Sequence, residues 1–255
     1  VMQDKLDMLY LVGNGPSRKN VNPNHLSEWW GMNMVYRDYT PDLLFVQDVA
    51  PQNEMITDQY YKKQPVCVGE WNEIPMEMWD LMKSGLPGRI IENRVEGDDR
   101  FVVQGEDYRG EGQTSYMIGY SYSHVNNIVI YTNELLKNTF AGIYALGYAV
   151  HHGHKKICLA GYDSLQFGDL QNIYGPDDCY TYNTVYTEEN SGVGRPQQAQ
   201  FVALLEHINK EYPDVELFFK NPIDGFDVID YTSIVSRFNI DDKWILGTAC
   251  FESEL

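Results

Sequence analysis

The stretch Leu9-Tyr10-Leu11-Val12-Gly13-Asn14-Gly15-Pro16-Ser17 decides how the rest of the chain is read. It opens on consecutive apolar residues and breaks on two glycines one residue apart. A short apolar run bounded by turn residues is the pattern of a buried strand. Gly13 and Gly15 can take backbone conformations and close approaches that other residues cannot. Pro16 and Ser17 suit the start of a helix or turn, where free N–H groups attract a phosphate. The stretch therefore predicts the first strand of an α/β sheet, ending in a nucleotide-phosphate cradle. The same residues equally suit an ordinary strand-to-loop turn that needs glycine for its geometry.

Working outward, His25 to Trp30 reads as a short helix and Gly31 to Tyr36 as a second strand or strand-loop. Further strands are expected at Leu43–Asp48, Pro65–Val68, Asn127–Tyr131, Lys156–Ala160 and Val215–Phe219, with helices at Pro75–Lys83, Pro196–Glu211 and Ile234–Phe238. The clearest unit is Thr139 to His152. Its apolar residues Phe140, Ile143, Tyr144, Gly147 and Val150 recur at helical spacing, with Gly142 and Gly147 allowing close packing and Gly153 as a stop. Alternating strands and helices imply a Rossmann-like α/β fold, a three-layer sandwich around a mostly parallel sheet. Residues 1–163 with 195–255 form the expected nucleotide-binding core. Within it, 92–123 is a charged, glycine-rich surface excursion with a short strand at Phe101–Gln104. Residues 164–194 are polar and aromatic, carrying Phe167, Tyr174, Tyr180, Tyr182 and Tyr186, and read as a lid or binding loop.

Charge limits the ligands. The 255 residues hold 19 Lys and Arg against 37 Asp and Glu, a net charge of −18 at pH 7. Such a field disfavours nonspecific binding to nucleic acid or an anionic membrane. An anionic nucleotide would need local donors rather than bulk charge. The cysteines Cys67, Cys158, Cys179 and Cys250 are widely spaced, which argues against a zinc ribbon or disulfide framework and fits a reducing, cytoplasmic setting. The apolar window Phe140–Val150 is too short to span a membrane, and no signal-peptide pattern precedes Leu9.

In parallel sheets ligands sit beyond the carboxyl ends of the strands. Asn14, Asp48, Glu70 and Asp163 fall at those expected ends. Asp48, Asp163, Glu70 and His124 are the side-chain types available as a general base. A carboxylate ending a strand also serves as a helix or turn cap, so Asp48 and Asp163 carry both readings. His124 reads as structural or exposed. His151-His152-x-His154 invites a metal site, but Gly153 breaks the helix between them and places them at the base of the sheet. They read as a surface helix terminus, favoured by its C-terminal dipole.

Gly13-Asn14-Gly15-Pro16-Ser17 after the first strand resembles the opening of the bacterial CMP-sialic-acid-dependent sialyltransferases of the lipooligosaccharide type. It also resembles the related archaeal hydroxymethylpterin diphosphokinase-like family. Three more matches follow in order: Asn33 after the second strand, Asp48 at the end of the third, and Ala141-Gly142-Ile143-Tyr144 running on to Gly161-Tyr162-Asp163. The resemblance covers the core from Met8 to Asp163, with gaps. It departs where the sialyltransferases hold their catalytic groups. Arg195 stands at the position of the general-base histidine, Ala141 at that of a serine, and Leu165 at that of a tyrosine assisting the leaving phosphate. A guanidinium is never deprotonated in proteins and cannot act as a base.

The resemblance implies a transferase, glycosyltransferase-like, taking a nucleotide-activated sugar of CMP type and a sugar or glycan acceptor, with homo-oligomeric relatives. Carried residue by residue, it implies nucleotide contacts at Gly13, Asn14, Gly15, Pro16, Ser17, Asn33, Asp48, Gly142 and Asp163. Asp48, Asp163, Arg195 and the lid residue Tyr174 are the expected catalytic groups, with no fixed metal. Two alternatives stand beside it. One is a magnesium-dependent diphosphokinase-like enzyme in which Asp48 and Asp163 help hold the metal. The other is a nucleotide-binding protein whose catalytic site has lapsed.

Overall fold

A computed structural model describes residues 8–15, 18, 21–47, 49–68, 72–73, 90–94, 101–105, 115–120, 127–131, 133, 136, 139–162, 195–220 and 249–252. Side chains on successive strand residues point to opposite faces. In β1 (Met8–Val12), Leu9 and Leu11 enter one core while Tyr10 and Val12 enter another. The same division runs through β2 (Glu28–Met32), β3 (Leu43–Val46), β4 (Val66–Val68) and β10 (Lys156–Ala160). Both faces are covered, so these strands read as apolar runs rather than as alternating patterns.

The first core is closed by α2 (Ala141–His151) and α3 (Arg195–Glu211), through residues such as Ile143, Tyr144, Leu146, Phe201 and Leu205. The second is closed by α1 (Val49–Thr57), through Met55 and Ile56, with Tyr60, Tyr61 and Val35. This is the expected three-layer α/β sandwich.

The main sheet also contains β9 (Ile128–Ile130), β11 (Glu216–Lys220) and β12 (Ala249–Glu252). Its order is β12-β11-β10-β1-β2-β3-β4-β9, and every pair is parallel. The chain steps outward from β1 to β9, then returns through α2 to place β10 on the other side of β1. Reversing the direction of travel with right-handed crossovers puts α1 on one face and α2 and α3 on the other. The reversal makes the β1–β10 gap the topological switch point.

Several expectations are corrected. His25–Trp30 is not a helix: a 3-10 turn at Pro23–His25 leads into β2, and Trp29 and Trp30 take opposite faces of the sheet. The strand expected at Gly31–Tyr36 ends at Met32, and a 3-10 helix follows at Asn33–Arg37. The excursion 92–123 with one short strand is instead part of a second, four-stranded sheet. Its strands β5 (Asn72–Glu73), β6 (Ile90–Arg94), β7 (Phe101–Gly105) and β8 (Ser115–Tyr120) lie in the order β5-β8-β7-β6. Strands β6 and β7 lie against α1. Helix α1 was not expected, although Pro51 in its first turn is a start signal. Helices expected at Pro75–Lys83 and Ile234–Phe238, and the lid 164–194, lie outside the described residues.

Helix α2 ends as its sequence suggests. Gly153 takes φ 89°, its N–H donates to the Val150 carbonyl at 3.0 Å, and the His154 N–H donates to the Ala149 carbonyl at 3.1 Å. That pair of bonds closes the orphan carbonyls of the last turn.

Candidate functional site

The carboxyl ends of β1 and β10 lie side by side, with Val12 paired to Ala160. The ladder continues past both strands. The Gly13 N–H donates to the Ala160 carbonyl and the Gly15 N–H to the Gly161 carbonyl, each at 2.8 Å. A Cβ on Gly13 would meet the Gly161 oxygen at 2.5 Å, so the two loops approach more closely than side chains permit. Two of the N–H groups expected to cradle a phosphate are thus committed to the neighbouring loop. The glycines make the loops fit each other.

Tyr162 follows in the same loop. Its buried ring lies against Gly142 at the start of α2, where a Cβ would come within 3.0 Å, and its hydroxyl donates to the Gly142 carbonyl at 2.9 Å. Burial pushes the phenol well above its ordinary pKa, so it stays a neutral donor. The helix begins at extended Phe140 with no side-chain cap. Its uncapped first turn opens on the same rim.

Side chains join the strand ends further along. Asn14, 8% exposed, donates from Nδ2 to the Met32 carbonyl at 2.9 Å, tying the first loop to the end of β2. Asn33, at φ 47°, accepts the Gln47 N–H on Oδ1 at 3.2 Å, tying the end of β2 to the end of β3. Gln52 of α1 donates to the Val46 and Gln47 carbonyls at 3.1 and 2.9 Å. Gly161, Gly15, Asn14, Asn33 and Gln52 thus pin the loops of β10, β1, β2 and β3 to one another and to α1. Arg18 completes the set. It donates to Asn14 Oδ1 at 3.2 Å, pairs with Asp38 at 2.8 Å and lies 5.6 Å over the Tyr39 ring.

Of the residues expected at the site, Gly13, Asn14, Gly15, Asn33 and Gly142 lie on this rim. Arg195 is the first residue of α3. The other end of that helix leads into β11, so Arg195 begins the helix on the rim side. Pro16, Ser17, Asp48, Glu70, His124, Asp163, Leu165, Tyr174, Tyr180 and Tyr182 lie outside the described residues. In sequence, Asp48 follows Gln47 and Asp163 follows Tyr162. Arg18 and Gln52 were missed. The available signal for Arg18 was a basic pair, Arg18-Lys19, directly after the glycine motif in a strongly acidic chain.

A second polar cluster, centred on buried Glu54, lies on the α1 face. Arg37 grips Glu54 with two bonds of 2.6 Å, and the Tyr36 hydroxyl lies 3.0 Å from both Glu54 and Asp58. Desolvation and the two carboxylates raise the Tyr36 phenol. On the opposite face, a cavity of about 30 Å³ sits between the C-terminal halves of α2 and α3, lined by Asn133, His151, His207, Tyr212 and apolar residues. It has room for about one water and is remote from the rim.

The histidines after α2 behave as a helix terminus. His152 stacks on Tyr148 at 3.8 Å and donates from Nδ1 to the Tyr148 carbonyl, while His154 meets Trp30 edge-on. Among the described residues no three metal-ligating side chains converge, and no helix is long and apolar enough to cross a membrane.

No family model matches the chain, and no curated protein matches it. Among solved structures it is similar to the sialyltransferase CstII from Campylobacter jejuni, in complex with a substrate analogue, CMP-3FNeuAc. That likeness has 13% identity, covers 83% of this chain and 81% of that one, and has a TM-score of 0.41.

Proposed function

We propose that the β1–β10 switch point is a nucleotide site, and that the chain is a glycosyltransferase-like enzyme taking a CMP-type sugar donor and a sugar or glycan acceptor. The observation that carries the reading is the reversal of strand order beside β1, where Gly13 and Gly161 hold two loops together. Open α/β sheets bind ligands in that crevice. The motif resemblance assigns the same loop to the nucleotide.

Because the Gly13 and Gly15 N–H groups are committed to β10 and Gly161, phosphate contacts fall to other donors. The candidates are the Asn14 amide, the first turn of α2 at Gly142, and Ser17. Asn33 lines the base or ribose side. Asp48 or Asp163 accepts the proton of the acceptor hydroxyl. As its oxygen bonds to the anomeric carbon, the bond from that carbon to the phosphate oxygen breaks, and the nucleotide leaves with the electron pair. Arg195 and lid Tyr174 meet the charge that develops on the phosphate.

The test is a thermal-shift panel of CMP, UDP, GDP, ADP and ATP, each with and without magnesium. A ligand that binds only the folded chain raises the melting temperature by mass action. The expected result is a rise with CMP that ignores magnesium. A rise with ATP that requires magnesium turns the reading toward a diphosphokinase-like enzyme with Asp48 and Asp163 on the metal. No rise with any nucleotide at millimolar concentration overturns the site.

A further inference from the structure

We propose that Arg18 is a positioning residue: it fixes the orientation of the Asn14 amide, so that the rim offers a bound nucleotide a donor and not an acceptor. The inference rests on the nucleotide reading above and adds the chemistry that the site selects. A side-chain amide can sit two ways, with oxygen and nitrogen exchanged by a half turn. Its two neighbours decide which. The Met32 carbonyl can only accept, and the Arg18 guanidinium can only donate. The observed pairing, Nδ2 to Met32 at 2.9 Å and Oδ1 from Arg18 at 3.2 Å, satisfies both. The reversed amide would set oxygen against oxygen and N–H against N–H in a buried place.

Arg18 is itself held. Its side chain is 6% exposed, whereas its partner Asp38 is 47% exposed and can stay hydrated. The Tyr39 ring supports the guanidinium from one face. Gly161 packs against the base of the side chain, where a Cβ on the glycine would come within 3.3 Å of the Arg18 Cβ. An arginine gripped in this way cannot swing, and neither can the amide it feeds.

With Oδ1 turned to the guanidinium, Nδ2 has, among the described residues, one hydrogen beyond the one given to Met32. Only an acceptor can meet it, which means a phosphoryl, ribose or base oxygen. A ligand presenting an N–H or ammonium to that hydrogen sets donor against donor. The nearby guanidinium adds positive potential where a chain of charge −18 needs it.

The experiment combines calorimetric titration of CMP with nitrogen-resolved spectra of the Asn14 side-chain amide, in the wild-type chain and in Arg18→Met, Arg18→Lys and Asp38→Asn. Without ligand, the wild type should give a well-separated Asn14 proton pair that Arg18→Met collapses or moves. CMP should shift one proton of the pair. Affinity should fall about tenfold or more in Arg18→Met, about one lost polar contact's worth. Arg18→Lys should recover part of it, and Asp38→Asn should lose less than Arg18→Met. Unchanged affinity in a folded Arg18→Met, or a wild-type Asn14 amide that ignores bound CMP, overturns the proposal. Should Arg18→Met fail to fold, the lysine and asparagine variants and the wild-type spectrum still decide it. If CMP does not bind the wild-type chain, the nucleotide reading fails, while the ligand-free amide spectra still test whether Arg18 orients Asn14.

Discussion

Gly13 and Gly161 meet backbone to backbone across the ends of β1 and β10, each leaving no room for a Cβ on the other. The contact is reciprocal: 2.5 Å from a Gly13 Cβ to the Gly161 oxygen, and 2.6 Å from a Gly161 Cβ to the Gly13 oxygen. Gly161 also takes φ 71°, a conformation that L side chains disfavour. Backbone oxygens cannot step aside as a side-chain end can. Gly13→Ala should cost about 1–3 kcal/mol from overpacking. Gly161→Ala should cost about 2–4 kcal/mol, because the left-handed backbone adds its own penalty. Urea denaturation of both variants and of the double variant checks this. The double variant should fall short of the sum, since both act on one contact.

Tyr162→Phe isolates the tie between that loop and α2. The ring that fills the space beside Gly142 remains, and only the bond to the Gly142 carbonyl is lost. A loss of about 1–2 kcal/mol is expected, with faster hydrogen exchange concentrated in the first turn of α2. Uniformly faster exchange throughout the chain would show instead that the bond supports the whole fold.

The pair Arg37 and Glu54 should behave differently from a surface ion pair. Glu54 is buried, Arg37 is half-buried, and the carboxylate also faces Tyr36. Glu54→Ala removes both bonds to the guanidinium and leaves the phenol with Asp58 alone, and should cost about 2–4 kcal/mol, tempered by the exposure of Arg37. Replacing both partners by Arg37→Met and Glu54→Leu should regain much of that loss. A double-mutant cycle reads the coupling directly.

Tyr60 carries a buried hydroxyl with no hydrogen-bond partner among the described residues, and burial pushes its pKa up to about 12 from 10.0. The folded state favours the neutral phenol, so this stabilisation is complete below pH about 10 and is lost as pH rises toward about 12. Tyr60→Phe removes both the unpaired group and the titration. At neutral pH it should be neutral or stabilising by up to about 1 kcal/mol, with a shallower alkaline loss than the wild type. Urea midpoints measured across that range for both chains are the check. A steeper loss in the variant would refute the assignment.

Several strands of the main sheet with both faces buried were legible. Leu9–Val12, Leu43–Val46 and Ile157–Ala160 have no polar position because helices cover each side. The α2–β10 unit was legible from helical spacing and a glycine stop. Trp29 and Trp30 misled the local reading, since two adjacent aromatics suit a helix face as readily as a strand split between two cores. The small sheet was obscured because charges and glycines dominate 92–123, and its edge strand β5 pairs with β8 from far along the chain. Gly13, Asn14, Gly15 and Asn33 could be placed at the strand ends from the sequence, but Arg18 could not be singled out. Its partners Asn14 and Asp38 come together only when the loops after β1 and β2 are folded.

Local chemistry by itself determined which segments are strands or helices in the core and where glycine was needed. Periodicity, turn residues and stops act over a few neighbouring residues, so they can be read along the chain. Only the tertiary structure decided what the glycines are for. Strand order brings Gly161 beside Gly13, and that long-range pairing takes up N–H groups that the motif, read alone, offers a phosphate. The donors left for a ligand are set by which strand ends adjoin, and adjacency in a parallel sheet is a property of the whole fold.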